Sequence, residues 1–214
     1  MRLILIGAPG VGKGTQGALL AESHGLARVA TGDILREAVR QETELGREAR
    51  AYMDEGELVP DELILELIAA ELAEEADGFV LDGFPRNIQQ AKGLDGILDD
   101  LGLDLECVVV LEAPDDVLVK RISGRRSCAR CGAIYNAHFD PPTVAGVCDR
   151  CGAALVHRED DREEVVRNRL RVFRRETEPL IQYYHDSDLP VEVVDGDRPV
   201  DQVQATIRSA LAPA

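Results

Sequence analysis

Directly after the apolar run Leu3-Ile4-Leu5-Ile6 comes Gly7-Ala8-Pro9-Gly10-Val11-Gly12-Lys13-Gly14-Thr15, and a helix-like segment follows at once. A strand that ends in glycines leaves backbone N–H groups free to converge on phosphate oxygens. The next helix offers a partially positive N-terminus, and Lys13 adds a full charge. The spacing from Gly7 to Lys13 is that of a P-loop, so a polyphosphate is the expected ligand. Residue 14 is Gly where the general pattern has Ser or Thr, and the hydroxyl comes one place later at Thr15. Magnesium would then be held mainly by phosphates, water and distant carboxylates. A glycine-rich turn with a merely solvated lysine is the alternative, and strand, spacing, lysine and helix context together speak against it.

Short β-rich runs recur between amphipathic segments: Leu3 to Ile6, Ala27 to Ala30, Phe79 to Leu81, Val108 to Leu111 and Val191 to Val194. Five strands alternating with helices predict an α/β fold, a P-loop five-stranded parallel sheet flanked by helices, with ligands bound beyond the carboxyl ends of the strands. Polar clusters fall at that rim: Thr31-Gly32-Asp33, Asp82-Gly83-Phe84-Pro85-Arg86 and Asp195-Gly196. Two segments do not fit a bare core. Residues 31–60 read as a charged helical excursion, and a second insertion, about 122–161, carries most of the cysteines. The core is then 1–30, 61–121 and 162–214.

The insertion holds Cys128-x-x-Cys131 and Cys148-x-x-Cys151, each followed by a glycine. Two such knuckles can wrap four thiolates around one tetrahedral zinc ion. With no open coordination position that metal would hold shape and do no chemistry. A module this small buries too little apolar area to be stable alone, and structural zinc supplies on the order of 10 kcal/mol in peptides. Disulfides or a redox pair are the other readings. Arg125, Arg126, Arg130, Arg150 and Arg158 are expected to face the cleft as the insertion folds over the P-loop. The fifth cysteine, Cys107, sits in an apolar run and reads as an inert core residue.

Formal charge is −16, which disfavours nonspecific attraction to nucleic acid or anionic membrane, so anionic ligands must be held locally. That balance counts against a second reading of the cysteine module as a nucleic-acid-binding ribbon. The cations are Lys13, Lys92 and Lys120 against 21 arginines. A high-salt cell interior or a GC-rich genome would each produce this skew. No run approaches the length of a membrane span, and the N-terminus lacks the pattern of a secretory leader, so a cytoplasmic protein is expected.

Beside the P-loop stand Thr-Gly-Asp-Ile-Leu-Arg at 31–36, Asp-Gly-Phe-Pro-Arg at 82–86, Gly-Arg-Arg at 124–126 and Arg-Glu-Asp-Asp at 158–161. With this ordered set, running from end to end, the chain resembles the adenylate kinases, in their long form with a zinc-binding lid. The resemblance implies the reaction ATP + AMP ⇌ 2 ADP with Mg²⁺, in the service of purine nucleotide balance. It makes 31–60 a nucleoside-monophosphate-binding insert and 122–161 a zinc lid held by Cys128, Cys131, Cys148 and Cys151.

Carried over by position, ATP would lie along Gly10, Val11, Gly12, Lys13, Gly14 and Thr15, with Arg121, Arg125, Tyr135 and Arg198. AMP would meet Thr31, Arg36, Glu57, Val59, Gly83, Arg86 and Gln90, with Arg158 and Arg169 closing over the phosphates. Glu57 stands where the family often has a basic residue. Thr31 and Gln90 match the adenine-recognising positions and favour AMP over other acceptors. Lys13, Arg86, Arg125, Arg158 and Arg169 are the expected catalytic set. Arg121 and Arg125 are expected on one helix face, Asp160 and Asp161 at the lid hinge positioning the lid arginines, and Asp33 and Asp82 around the magnesium water shell. Arg forks suit this chemistry, because phosphoryl transfer is catalysed mainly by positioning and charge neutralisation. Arg40, Arg47, Arg50, Arg171, Arg174 and Arg175 read as solvated helix residues or surface salt bridges, and no histidine is assigned to catalysis.

A single cleft within one chain predicts a monomer whose partners are ATP, AMP and ADP, with no nucleic acid or membrane. Two rivals differ in chemistry. Another nucleoside monophosphate kinase would keep the mechanism and change the base. A P-loop switch with a partner-binding zinc module would hydrolyse nucleotide without an acceptor.

Overall fold

The computed structural model describes residues 1–74 and 78–211; the expected core segments 61–121 and 162–214 also include 75–77 and 212–214, which lie outside the described residues. Strand β1 (Arg2–Gly7) leads through the P-loop into α1 (Lys13–His24), then β2 (Ala27–Ala30), α2 (Thr31–Arg40), α3 (Glu44–Glu55) and α4 (Asp61–Glu74). Next come β3 (Phe79–Asp82), α5 (Ile88–Leu101), β4 (Cys107–Glu112) and α6 (Asp115–Ser123). The cysteine module holds β5 (Arg125–Cys128), β6 (Ile134–Asn136) and β7 (Leu155–Val156). After a short 3₁₀ turn at Glu159–Asp161, α7 (Glu163–Val172), a wider helical turn at Phe173–Thr177, α8 (Pro179–His185), β8 (Val191–Asp195) and α9 (Val200–Ala210) complete the chain.

The main sheet is wholly parallel in the order β2-β3-β1-β4-β8, as the five apolar runs predict. Strand side chains alternate between faces, and both faces are covered. Ile4, Ile6, Leu81, Val108 and Val110 pack with α4, α5 and α8, whereas Leu3, Leu5, Val80, Val109 and Leu111 pack with α1, α6, α7 and α9. Double burial explains why the strands read as continuous apolar runs. Cys107, on β4, is buried, and its burial together with nearby Glu192 pushes the thiol up to about 11, in keeping with an inert core residue. No described helix is long and apolar enough to cross a membrane.

The segments that follow β1, β2, β3 and β8 open into one crevice at the carboxyl edge, where this class of sheet binds ligands. Helices α2 and α3 pack on each other at one side of it. Asn87 and Thr43 cap α5 and α3, accepting N–H bonds from Gln90 (2.8 Å) and Gly46 (3.1 Å). The cysteine module is a separate antiparallel sheet, β6-β5-β7, around a small core that includes Cys128, Ala133, Tyr135 and Cys148. It reaches back over the crevice: Arg40 of α2, exposed and paired with Glu37 as a surface arginine, also donates to the Ala129 carbonyl at 2.7 Å.

Candidate active site

Gly10 carries a backbone φ of +83°, and a Cβ there would lie 2.5 Å from Cγ1 of Ile122 on α6. Both the conformation and the close approach require glycine. The loop wraps Lys13, whose ammonium donates to the carbonyls of Gly7 (2.5 Å) and Ala8 (3.1 Å).

Lys13 stands at the floor of a cavity of about 900 Å³, at the upper end of the roughly 300–1,000 Å³ of small-molecule sites. Every residue expected from the sequence to touch nucleotide, together with Asp33 and Asp82, lines this one cavity. The walls come from the P-loop, β2 and α2, the segment joining α3 to α4, the β3–α5 turn, α6, the cysteine module, α7 and the β8–α9 turn. Arg121 donates to the Gly196 carbonyl at 2.8 Å, and Arg198 pairs with Asp195 at 2.9 Å. Thr31 donates to the Gly83 carbonyl (2.9 Å). Gln90, itself buried, accepts from the Arg86 N–H and donates to Asp61, each at 2.8 Å. Glu57 accepts from Asn168 at 2.8 Å, so α7 holds this residue in the wall.

The electrostatics are those of a site short of anions. Burial, with Arg86, Arg169 and Arg125 nearby, brings Lys13 down to about 8 in spite of Asp82. Burial and the neighbouring Arg169 and Arg36 bring Arg86 down to about 10, and burial with Arg36 and Arg125 does the same to Arg158. Like charges forced together in a poorly solvated cleft are relieved by a polyphosphate.

The acids form an ordered relay with these cations. Asp82 accepts from Nη2 of Arg28 at 2.6 Å, and the same nitrogen lies 3.2 Å from Asp33. Asp33 accepts from Arg36 at 2.7 Å; Arg36 lies 3.6 Å from Asp160, which accepts from Arg169 at 2.8 Å. Although burial opposes it, Arg36 and Arg28 hold the Asp33 carboxyl below its ordinary range, and Arg169 and Arg36 do so for Asp160. The relay joins the sheet edge, α2 and the turn at Glu159–Asp161. Its first cation, Arg28, was not singled out by sequence reasoning; the available signal was one charged residue inside the strand Ala27-Arg28-Val29-Ala30.

Three sequence expectations are corrected. Arg125 does not share a helix face with Arg121: α6 ends at Ser123, and Arg125 opens β5, pairing with Asn136. Asp161 lies 3.7 Å from Arg169, as expected, but its main partner is Arg125 and not Arg158, whose Nε donates to Ser127 Oγ at 3.1 Å. Arg126, Arg130 and Arg150 do not line the cavity. Arg126 alternates with Arg125 along the strand and points the other way, its guanidinium on the Ser123 and Arg125 carbonyls.

The four paired cysteines bring their sulfurs within 4.8 Å of one another. Cys128–Cys151 and Cys131–Cys148 are each 3.5 Å apart, near the ~3.8 Å edge of a tetrahedron with zinc–sulfur bonds of about 2.3 Å. Gly132 and Gly152 both adopt φ +71°, the left-handed turn that closes each knuckle. Burial works against the Cys148 thiolate, but the Tyr135 hydroxyl and the backbone N–H groups of Cys151 and Arg150 outweigh it and bring the thiol down to about 6. Tyr135 therefore lies along the cavity wall with its hydroxyl turned to the cysteine cluster. The donor set fits zinc. At the cavity floor, two carboxylates without a hydroxyl at residue 14 suit a cation that keeps its water, as Mg²⁺ does.

The sequence model described as adenylate kinase matches residues 5–189. The adenylate kinase of Thermodesulfovibrio yellowstonii is 46% identical over 213 residues, covering 99% of both chains. That of Citrifermentans bemidjiense is 49% identical over 214 residues, again 99% of each, and that of Acidothermus cellulolyticus 48% over 213 residues, 99% of this chain and 98% of the relative. With its P-loop cavity, its crowded arginines and these full-length likenesses, the chain belongs to the adenylate kinase family, enzymes of reversible phosphoryl transfer from Mg-ATP to AMP.

Proposed function

We propose that this chain performs the family's transfer in the 900 Å³ cavity with the residues that line it. The observation that carries the reading is the convergence there of Lys13 with Arg36, Arg86, Arg121, Arg125, Arg158 and Arg169. Arg36 and Arg86 grip the acceptor phosphate, Arg121 and the P-loop hold the donor, and Lys13 with Arg125, Arg158 and Arg169 takes the charge that spreads over the moving phosphoryl group. An acceptor phosphate oxygen forms the new P–O bond as the donor's β–γ bridge breaks, with no covalent intermediate on the protein. The preset cationic frame lowers the barrier because no solvent must reorient around the developing charge. Magnesium, when bound with the nucleotide, neutralises phosphate oxygens; Asp82 and Asp33 are the residues that would hold its water.

In this reading residues 31–60 form the AMP-binding insert, 122–161 the lid, and 1–30, 61–121 and 162–214 the core. Thr31, Gln90, Gly83, Val59 and the backbone around Glu57 receive AMP. Closure of insert and lid keeps water from accepting the phosphoryl group. The cluster of Cys128, Cys131, Cys148 and Cys151 holds one structural zinc ion. The protein acts in the cytoplasm as a monomer, without nucleic acid or membrane as partner, because the cavity draws its walls from one chain.

A coupled assay of ADP formation from Mg-ATP with AMP, UMP, CMP, GMP or no acceptor tests the reading. Fast, AMP-dependent ADP formation that a bisubstrate dinucleotide blocks is the expected result. Preference for another acceptor overturns the base assignment, and turnover without acceptor overturns the transfer reaction for this cavity.

A further inference from the structure

Arg28 sits where two otherwise separate peculiarities of the site meet. It projects from β2 beneath the P-loop, and a Cβ placed on Gly14 would lie 3.3 Å from its Nη2 and 3.6 Å from Asp82 Oδ2. The space a Ser or Thr side chain would enter beside the P-loop lysine is therefore bordered by a guanidinium. Nη2 reaches Oδ2 of both Asp82 (2.6 Å) and Asp33 (3.2 Å). Its Nε is buried with no hydrogen-bond partner, so the side chain is held by its carboxylates and by the packing of its stem against Gly17. Burial opposes the charge, yet the two acids raise its pKa above the usual value, and Arg28 stays cationic.

The oxygen count gives this arrangement a consequence. Asp33 has both oxygens engaged, Oδ1 by Arg36 and Oδ2 by Arg28, and Asp82 has Oδ2 engaged by Arg28. These are the carboxylates that would accept hydrogen bonds from the water of a nucleotide-bound metal ion. We infer that Arg28 is a positioning residue that competes with the metal for Asp82 and Asp33, weakening the site's hold on the divalent ion. The inference rests on the Mg-nucleotide reading above. Arg28 cancels acidic charge at the floor of the cavity, so metal enters bound to nucleotide phosphates and leaves with them.

The test is Mn²⁺ affinity, read by electron paramagnetic resonance on the full-length protein with saturating β,γ-imido-ATP, for the wild type, Arg28→Gln and Arg28→Lys. Loss of one unit charge near a divalent ion, at water-like dielectric, corresponds to about fivefold tighter metal binding in Arg28→Gln. Arg28→Lys, which keeps the charge, stays within about twofold of the wild type. Removing Arg28 strands the nearly buried Asp82 while Asp33 keeps Arg36, so the comparison is repeated in an Asp82→Asn background, where Arg28→Gln strands no carboxylate and Asp33 is still freed from Arg28. Metal affinity that is unchanged or weaker on loss of Arg28, in whichever background folds, overturns the inference. A wild-type complex that binds the nucleotide analogue but retains no Mn²⁺ overturns the Mg-nucleotide reading and this inference with it, an outcome distinct from equal affinities in wild type and variant.

Discussion

Asp161 has no exposure to solvent and takes two guanidinium N–H bonds from Arg125, one of them at 2.8 Å from Nε. The pair fastens the first strand of the cysteine module to the turn that ends it, and aims Arg125 at the cavity. Removing one partner of a buried pair leaves an uncompensated charge, at a cost of about 3 kcal/mol. Asp161→Asn should lower the urea midpoint accordingly and reduce transfer rate as well, because Arg125 loses its anchor. A loss below about 1 kcal/mol would show that solvent reaches Arg125 and compensates it.

Arg86 is held at three points: its Nε donates to the Gly83 carbonyl (2.6 Å), its N–H to Gln90 (2.8 Å), and its carbonyl accepts from Thr177 (2.7 Å). Two of the three use backbone atoms, so Arg86→Ala keeps the local frame and removes only the guanidinium. Transfer should fall by about 10³ in both directions with little change in melting temperature. Near-normal turnover would dismiss Arg86 from the acceptor clamp.

Lys13 titrates at about 8 in the folded protein against 10.5 for the free side chain, first because of burial. Below pH 8 both folded and unfolded states carry the proton. Between 8 and 10.5 the unfolded state binds more, so this group's contribution to stability rises with pH over that window. Function runs the opposite way, since a phosphate needs the cation. We expect kcat/KM to fall as pH rises through about 8, and nucleotide binding near pH 8 to draw a proton from the buffer, measurable by calorimetry in buffers of different ionisation enthalpy. Binding without proton exchange at that pH would place Lys13 outside the phosphate site.

Serine at Cys128 and Cys148 leaves two sulfurs where four stand within 4.8 Å. With the proposed structural zinc, one ion per chain should fall to none by elemental analysis and the melting temperature should drop, because structural zinc supplies on the order of 10 kcal/mol in peptides. Activity should survive at low temperature. Zinc content that stays at one per chain would rule out the four-cysteine site.

Much of this was legible in the chain alone. Apolar runs doubly buried in a parallel sheet, the Gly-Lys spacing of the P-loop and the Cys-x-x-Cys knuckles are local patterns, each dictated by backbone geometry or coordination chemistry within a few residues. They were enough to place the sheet, the P-loop and the four-cysteine cluster. Tertiary structure alone decided which charges meet. Arg125 belongs to a strand because pairing with Asn136 wins over continuing α6, Asp161 answers Arg125 from 36 residues away, and Arg28 spans to Asp82 across 54. Coulomb partners are chosen by distance in space and by the low dielectric of the cleft, neither of which has a period in the sequence.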